Sequence, residues 1–192
     1  MTALILGLVI FLGVHSLRIV AEPWRSGLRA RLGEGPYKGL YALLSIAGFA
    51  LLLWGFGQAR QQPVLLWPAL GWARHVAALL TLLAFVLLAA AYVPNNSIKG
   101  RLHHPMVLSV KLWALGHLLA NNPLADLLLF GSFLVWAVFS FRAARARDRA
   151  AGTVYPPGTA AASALAAVIG IAAWAGFAFW AHGRWIGVQP FP

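Results

Sequence analysis

HHPMVLSVKLWALGHLLANNPLADLLLFGSFLVWAVFSF, residues 103–141, decides the fold. Two apolar runs, Pro105 to Asn121 and Pro123 to Phe141, flank the short break Asn-Asn-Pro. Lys111 and Asp126 are the only formal charges in them. A bilayer core takes about 20 apolar residues per helix. The segment therefore reads as two membrane helices joined by a tight turn, the first of them short.

The pattern repeats outward from it. Thr2 to Val20, Lys38 to Gly57, Gly71 to Val93, and Ala161 to about Gly183 are further apolar runs of membrane length. The sequence predicts an all-α fold, an integral membrane bundle of six transmembrane helices. The 192 residues form a single transmembrane domain, 1–192. Composition agrees. Charged residues make up 10%, against about 25% in a soluble domain, and mean hydropathy is +0.77. The N-terminus MTALILGLVIFLGV has no positive leader region and no A-x-A site, so it reads as a retained first span. Pro36 and Pro123 are expected at first helical positions. No cysteine is present, which excludes disulfides, thiolate catalysis and cysteine-ligated metal.

The net charge is +11. In a soluble chain that would suggest nucleic acid. Here the cations stand between apolar runs, which points to membrane orientation and anionic lipid, not nucleic acid. The first connection carries Arg18, Arg25, Arg29, Arg31 and Lys38, the third Lys99 and Arg101, and the fifth Arg142, Arg145, Arg147 and Arg149. The second carries Arg60 and Arg74, and the fourth none. By the positive-inside rule the odd loops are cytoplasmic and both termini are outside. No loop is long enough to fold a catalytic domain, so any chemistry is in or at the membrane.

Ionisable residues inside spans are costly and mark function by default. His15 lies near the inner end of span one, with Arg18 on the same face one turn on. His117 lies past the middle of span four, on a face running His103, Met106, Val110, Trp113, His117. Lys111 is turned about 120° from His117 and either snorkels or meets an anionic ligand. Each histidine has packing as its plain alternative. Two separated histidines, surplus cations and no mid-span carboxylate suit haem. Its iron takes imidazole axially and its propionates want Arg18, Arg101 or Lys111. Zinc suits less, since three His, Asp or Glu ligands are wanted. His75 is a reserve ligand or an interfacial residue. His103 and His104 form the cytoplasmic mouth of span four, where they bind an anion or mark the boundary. His182 reads as interfacial. Asn95-Asn96-Ser97 matches a glycosylation sequon but falls in a cytoplasmic loop. Paired carboxylates and a Ser/His/Asp set are absent, so acyl transfer and glycoside hydrolysis have no support.

FLGVHSLRIV, RLGEGPYKGLYALLS, WARH and HHPMVLSVKLWALGHLLANN, followed by LLLFGSFLVWAVF, together resemble the NnrU family of bacterial membrane proteins. The resemblance runs from about Leu6 to Phe141. It implies a bacterial inner membrane location. The family also includes 15-cis-zeta-carotene isomerase, a haem b enzyme. Its ligand histidines stand in Ala-His-Ser and Leu-Ala-His segments. Val14-His15-Ser16 and Leu115-Gly116-His117 match these, so the resemblance implies His15 and His117 as iron ligands. A cysteine three residues before the second histidine is Ala114 here. His104-Pro105 has a more distant likeness to the Arg-His-Pro motif of isoprenylcysteine-type methyltransferases. A shared iron needs the two histidines at similar depth. Span one would have to continue past Val20 toward Trp24; otherwise His75 or water competes.

Three functions stay open. One is a haem-dependent, isomerase-like enzyme for a hydrophobic small-molecule substrate, which requires an apolar lateral cavity. Another is a cytochrome that passes electrons or responds to nitric oxide. The third is a cofactor-free accessory protein with a membrane protein partner in denitrification.

Overall fold

The computed structural model describes residues 1–191. Every named element in it is helical: α1 (Thr2–Val20), α2 (Glu22–Leu32), α3 (Glu34–Ala59), α4 (Ala73–Tyr92), α5 (Ser97–Leu102), α6 (Pro105–Ala120), α7 (Leu124–Ala151), α8 (Ala160–Gly176) and α9 (His182–Ile186), with a π-helical turn, Phe177–Ala181, before α9. Among the described residues β-structure is limited to two isolated bridges. Five helices are long and apolar enough to cross a membrane, the last formed by Ala160–Ile186 as a whole. The sixth, α6, has 16 residues and is ~24 Å long, short of a ~30 Å core.

The core is built inside out compared with a soluble protein. Buried positions are dominated by alanine, such as Ala84, Ala114, Ala137 and Ala166, while Val9 and Ile46 are 63% and 68% exposed. Lipid tails solvate large apolar side chains as well as a protein core does. Helices therefore gain by pressing small residues together. The fold is thus a helical membrane bundle.

The chain divides into two compact units, Met1–Pro68 with Asn122–Ser140, and Ala69–Asn121 with the chain from Phe141 onward. In the first unit α1 and α3 run antiparallel and touch backbone to backbone. A Cβ on Gly7 would collide with Leu52, one on Gly48 would sit 2.8 Å from Phe11 N, and one on Gly55 would sit 2.7 Å from Leu4 Cα. The first half of α7 runs parallel to α1, with Phe133 against Phe11 and Trp136 against His15. Residues 64–67 clip onto the start of α7 through Leu66 N to Asn122 O (3.0 Å) and Leu124 N to Val64 O (2.9 Å).

In the second unit α4 packs antiparallel to α6 and to α8. Gly116 faces Ala77 and Leu80, and Gly170 lies against the Val86 backbone. The indole Nε1 of Trp174 donates to Thr81 Oγ1 at 3.1 Å. Asn96, 2% exposed, caps α5 by accepting from Lys99 N (2.8 Å) and donates to Ala90 O (2.8 Å) at the end of α4. Ser163 Oγ accepts from Ser97 N at 2.8 Å. Gly158, at φ +70°, sits on the Asn96 backbone where no Cβ fits.

Several boundaries differ from the sequence expectation. Residues 22–32 and 97–102, expected as loops, are helical. Glu22 and Pro23 in the first turn and Arg29 and Arg31 in the last make α2 a well-signalled helix despite its polarity. Pro36 is the third residue of α3, not the first; a missing N–H is harmless anywhere in the first turn. Pro123 precedes α7, and α7 continues ten residues past Phe141 because the RAARARDRAA segment is rich in helix formers. His103 is the C-cap of α5 at φ +70°, so it does not share the α6 face.

Candidate functional site

His15 stands in the first unit, five residues before the end of α1. Its Nδ1 lies 2.6 Å from the carbonyl oxygen of Phe11, one turn back. A carbonyl only accepts, so Nδ1 carries the proton and Nε2 carries the lone pair when the ring is neutral. The ring is held between Phe11 (4.3 Å between centroids), Tyr41 (5.3 Å) and Trp136 (6.2 Å, edge-on). The indole Nε1 of Trp136 is buried with no hydrogen-bond partner. Beside this cage an apolar groove of about 580 Å³ opens along α7, from Leu127 to Phe139, and along Ser16, Ile19 and Val20 of α1. Arg18, in the last turn of α1, is exposed.

His117 stands in the second unit, in the last turn of α6. As expected, it lies past the middle of the helix, three residues before α6 stops at Ala120. Its Nδ1 lies 2.8 Å from Trp113 O, so its lone pair is again on Nε2. Trp113 lines one side of the ring at 5.3 Å. Lys111 Nζ lies 4.1 Å over the centre of Phe141, so its charge meets an aromatic face instead of a carboxylate. Arg101 is exposed on α5. His75 is exposed at the start of α4, and its Nε2 accepts from Arg74 Nε at 3.4 Å, which occupies the lone pair a metal would take. α1 ends at Val20 and the backbone breaks at Ala21 (φ −141°, ψ 42°), so span one does not run straight on toward Trp24.

Two further histidines, expected as an interfacial residue and as part of the cytoplasmic mouth, have defined partners. His182 follows the π-helical turn, which re-aims it. Its Nδ1 lies 2.6 Å from Val188 O, and it is within electrostatic range of His117. His104 joins a polar cluster at the opposite end of the same unit. Asp148 Oδ2 accepts from His104 Nε2 (2.7 Å), Tyr155 Oη (3.0 Å) and Arg145 Nη1 (3.5 Å). His103 stacks flat on Tyr155 at 4.2 Å. Asp148 lies beyond the apolar run of α7. Burial alone would raise its carboxyl, but the hydrogen bonds and charges of His104, Tyr155 and Arg145 outweigh that and hold it below the usual carboxylate range. Burial and the Asp148 carboxylate push the Tyr155 phenol up. With Nε2 committed to Asp148, His104 serves as a fastener instead of an anion-binding mouth.

Chemically, His15 and His117 are each prepared to give Nε2 to a metal. A ligating histidine normally donates its other ring N–H to a carbonyl or carboxylate, which fixes tautomer and orientation. Among the described residues no three His, Cys, Asp or Glu converge on a metal-sized site.

No curated protein and no solved structure matches the chain. The NnrU protein family model matches it from residue 3 to residue 190, and the chain therefore belongs to the NnrU family.

Proposed function

We propose that this NnrU-family protein binds haem b in the bacterial inner membrane, with His15 and His117 as the iron ligands and water as the competitor of the second, since α1 ends at Val20. The observation that carries this is the shared preparation of the two rings. Each donates Nδ1–H to a carbonyl of its own helix and presents Nε2. Haem would supply a redox-active iron that an imidazole nitrogen can hold. Around His15 the chain supplies an aromatic cage and an unused indole donor, both suited to a planar conjugated ring. Arg18, Arg101 and Lys111 are the cations we assign to the propionates. α6 is the sixth crossing, made at the cost of local thinning. The chain crosses six times as one transmembrane domain, with both termini periplasmic.

The groove beside His15 favours a haem enzyme that acts on a hydrophobic molecule, isomerase-like in class, over a pure electron carrier. It is apolar and of ligand size. The test is the ligand variants. His15→Ala and His117→Ala are each expected to lose or reshape the haem spectrum, while His75→Ala leaves it unchanged. Full haem with an unaltered spectrum in both of the first two variants would overturn the assignment.

A further inference from the structure

The haem proposal makes no use of α2, the most polar helix of the chain. Its eleven residues include no buried one, and Trp24 and Leu32 are 58% and 43% exposed. At about 100° per residue Trp24, Leu28 and Leu32 fall within one sector about 80° wide. Arg31 borders that sector on one side, and Arg25 and Arg29 border it on the other. The second flank is turned to the protein. Arg25 pairs with Glu22 at 2.8 Å and lies over Tyr37 at 5.8 Å, and Arg29 pairs with Glu34 at 3.3 Å. The break at Ala21 separates α2 from the axis of α1. Between Arg18 and Lys38 five cations face two carboxylates, Glu22 and Glu34, a surplus of three. Arg31 takes part in no ion pair among the described residues.

We infer that α2 lies in the membrane interface and binds anionic lipid headgroups. Trp24, Leu28 and Leu32 enter the acyl boundary, and Arg31 takes a phosphate. A narrow apolar stripe bordered by arginine, with low overall hydropathy, suits a helix lying in the interface plane. The occupant is a lipid surface because the stripe continues from the inner end of a spanning helix and the charge surplus complements anionic headgroups.

The chain has no cysteine, so one introduced thiol labels one site. Leu28→Cys and Ala30→Cys, each carrying bimane, would be reconstituted as the full chain into phosphatidylcholine vesicles. Acyl-brominated phosphatidylglycerol or acyl-brominated phosphatidylcholine would serve as quencher. Trp24→Cys repeats the first site should Leu28→Cys fail to fold. We expect strong quenching at position 28 or 24 and little at 30. Brominated phosphatidylglycerol should be the better quencher, and Arg31→Gln should reduce its preference about fivefold. Equal quenching by both lipids would overturn the anionic specificity. An unquenched position 28 and 24 would overturn the membrane assignment and turn the stripe toward a protein partner.

Discussion

Replacing Gly55 by alanine tests the seam that holds the His15 helix. The new Cβ would sit 2.6 Å from the carbonyl carbon of Ala3 and 2.7 Å from Leu4 Cα. Ordinary carbon contacts lie at about 3.5–4.0 Å, so α1 and α3 must part by roughly 1 Å. Both atoms are backbone, so no rotamer change relieves the clash. Overpacking of this kind costs about 1–3 kcal/mol. Alanine is also a better helix former than glycine by up to ~1 kcal/mol, which partly hides the loss. Gly57→Ala removes that ambiguity. It lies two residues away in the same helix, and its Cβ would meet nothing within 4 Å. The propensity gain is common to both variants, so the difference between them isolates the clash. At 2–4 °C per kcal/mol, thermal unfolding in detergent should place Gly55→Ala roughly 2–12 °C below Gly57→Ala. Coincident melting curves would refute the close seam.

Asn96→Ala removes a helix cap and leaves the Ala90 and Val93 carbonyls without their donor, for a loss of about 2–4 kcal/mol in thermal or denaturant unfolding. Trp174→Phe deletes one hydrogen bond to Thr81 while keeping most of the ring, and should cost about 0.5–1.5 kcal/mol. Asp148 has a lowered carboxyl pKa in the folded protein. Its contribution is whole above about pH 4, the unfolded value, and is lost as pH falls through the lower folded value. Melting temperatures measured from pH 6 down to pH 3 should therefore fall less for Asp148→Asn than for the parent chain; parallel profiles would show that Asp148 contributes nothing.

The spans were legible because lipid imposes one rule on every crossing residue, and apolar length reports it directly. His15 and His117 were legible for the converse reason: an ionisable ring in an apolar run stands out. α2 and α5 were not, because short polar helices match loops in hydropathy, and only capping residues such as Asn96 distinguish them. Asn95-Asn96-Ser97 read as an idle sequon, whereas the structure uses Asn96 as a cap. The cluster of His104, Asp148 and Tyr155 joins a histidine to a carboxylate 44 residues away, and no local pattern announces such a pairing. His182 depends on a π-helical turn that its sequence, FAFWA, does not signal. The end of α6 was legible too: the Asn-Asn-Pro break put the end of the span at Asn121, and there the backbone turns extended (φ −110°, ψ 137°).

The absorption spectrum of detergent-purified protein, oxidised and dithionite-reduced, with a pyridine haemochrome count, tests the haem proposal most directly. A Soret band, sharp reduced α and β bands and about one haem per chain are the predicted result for an imidazole-ligated iron. A colourless protein, made with haem precursor supplied, would contradict it.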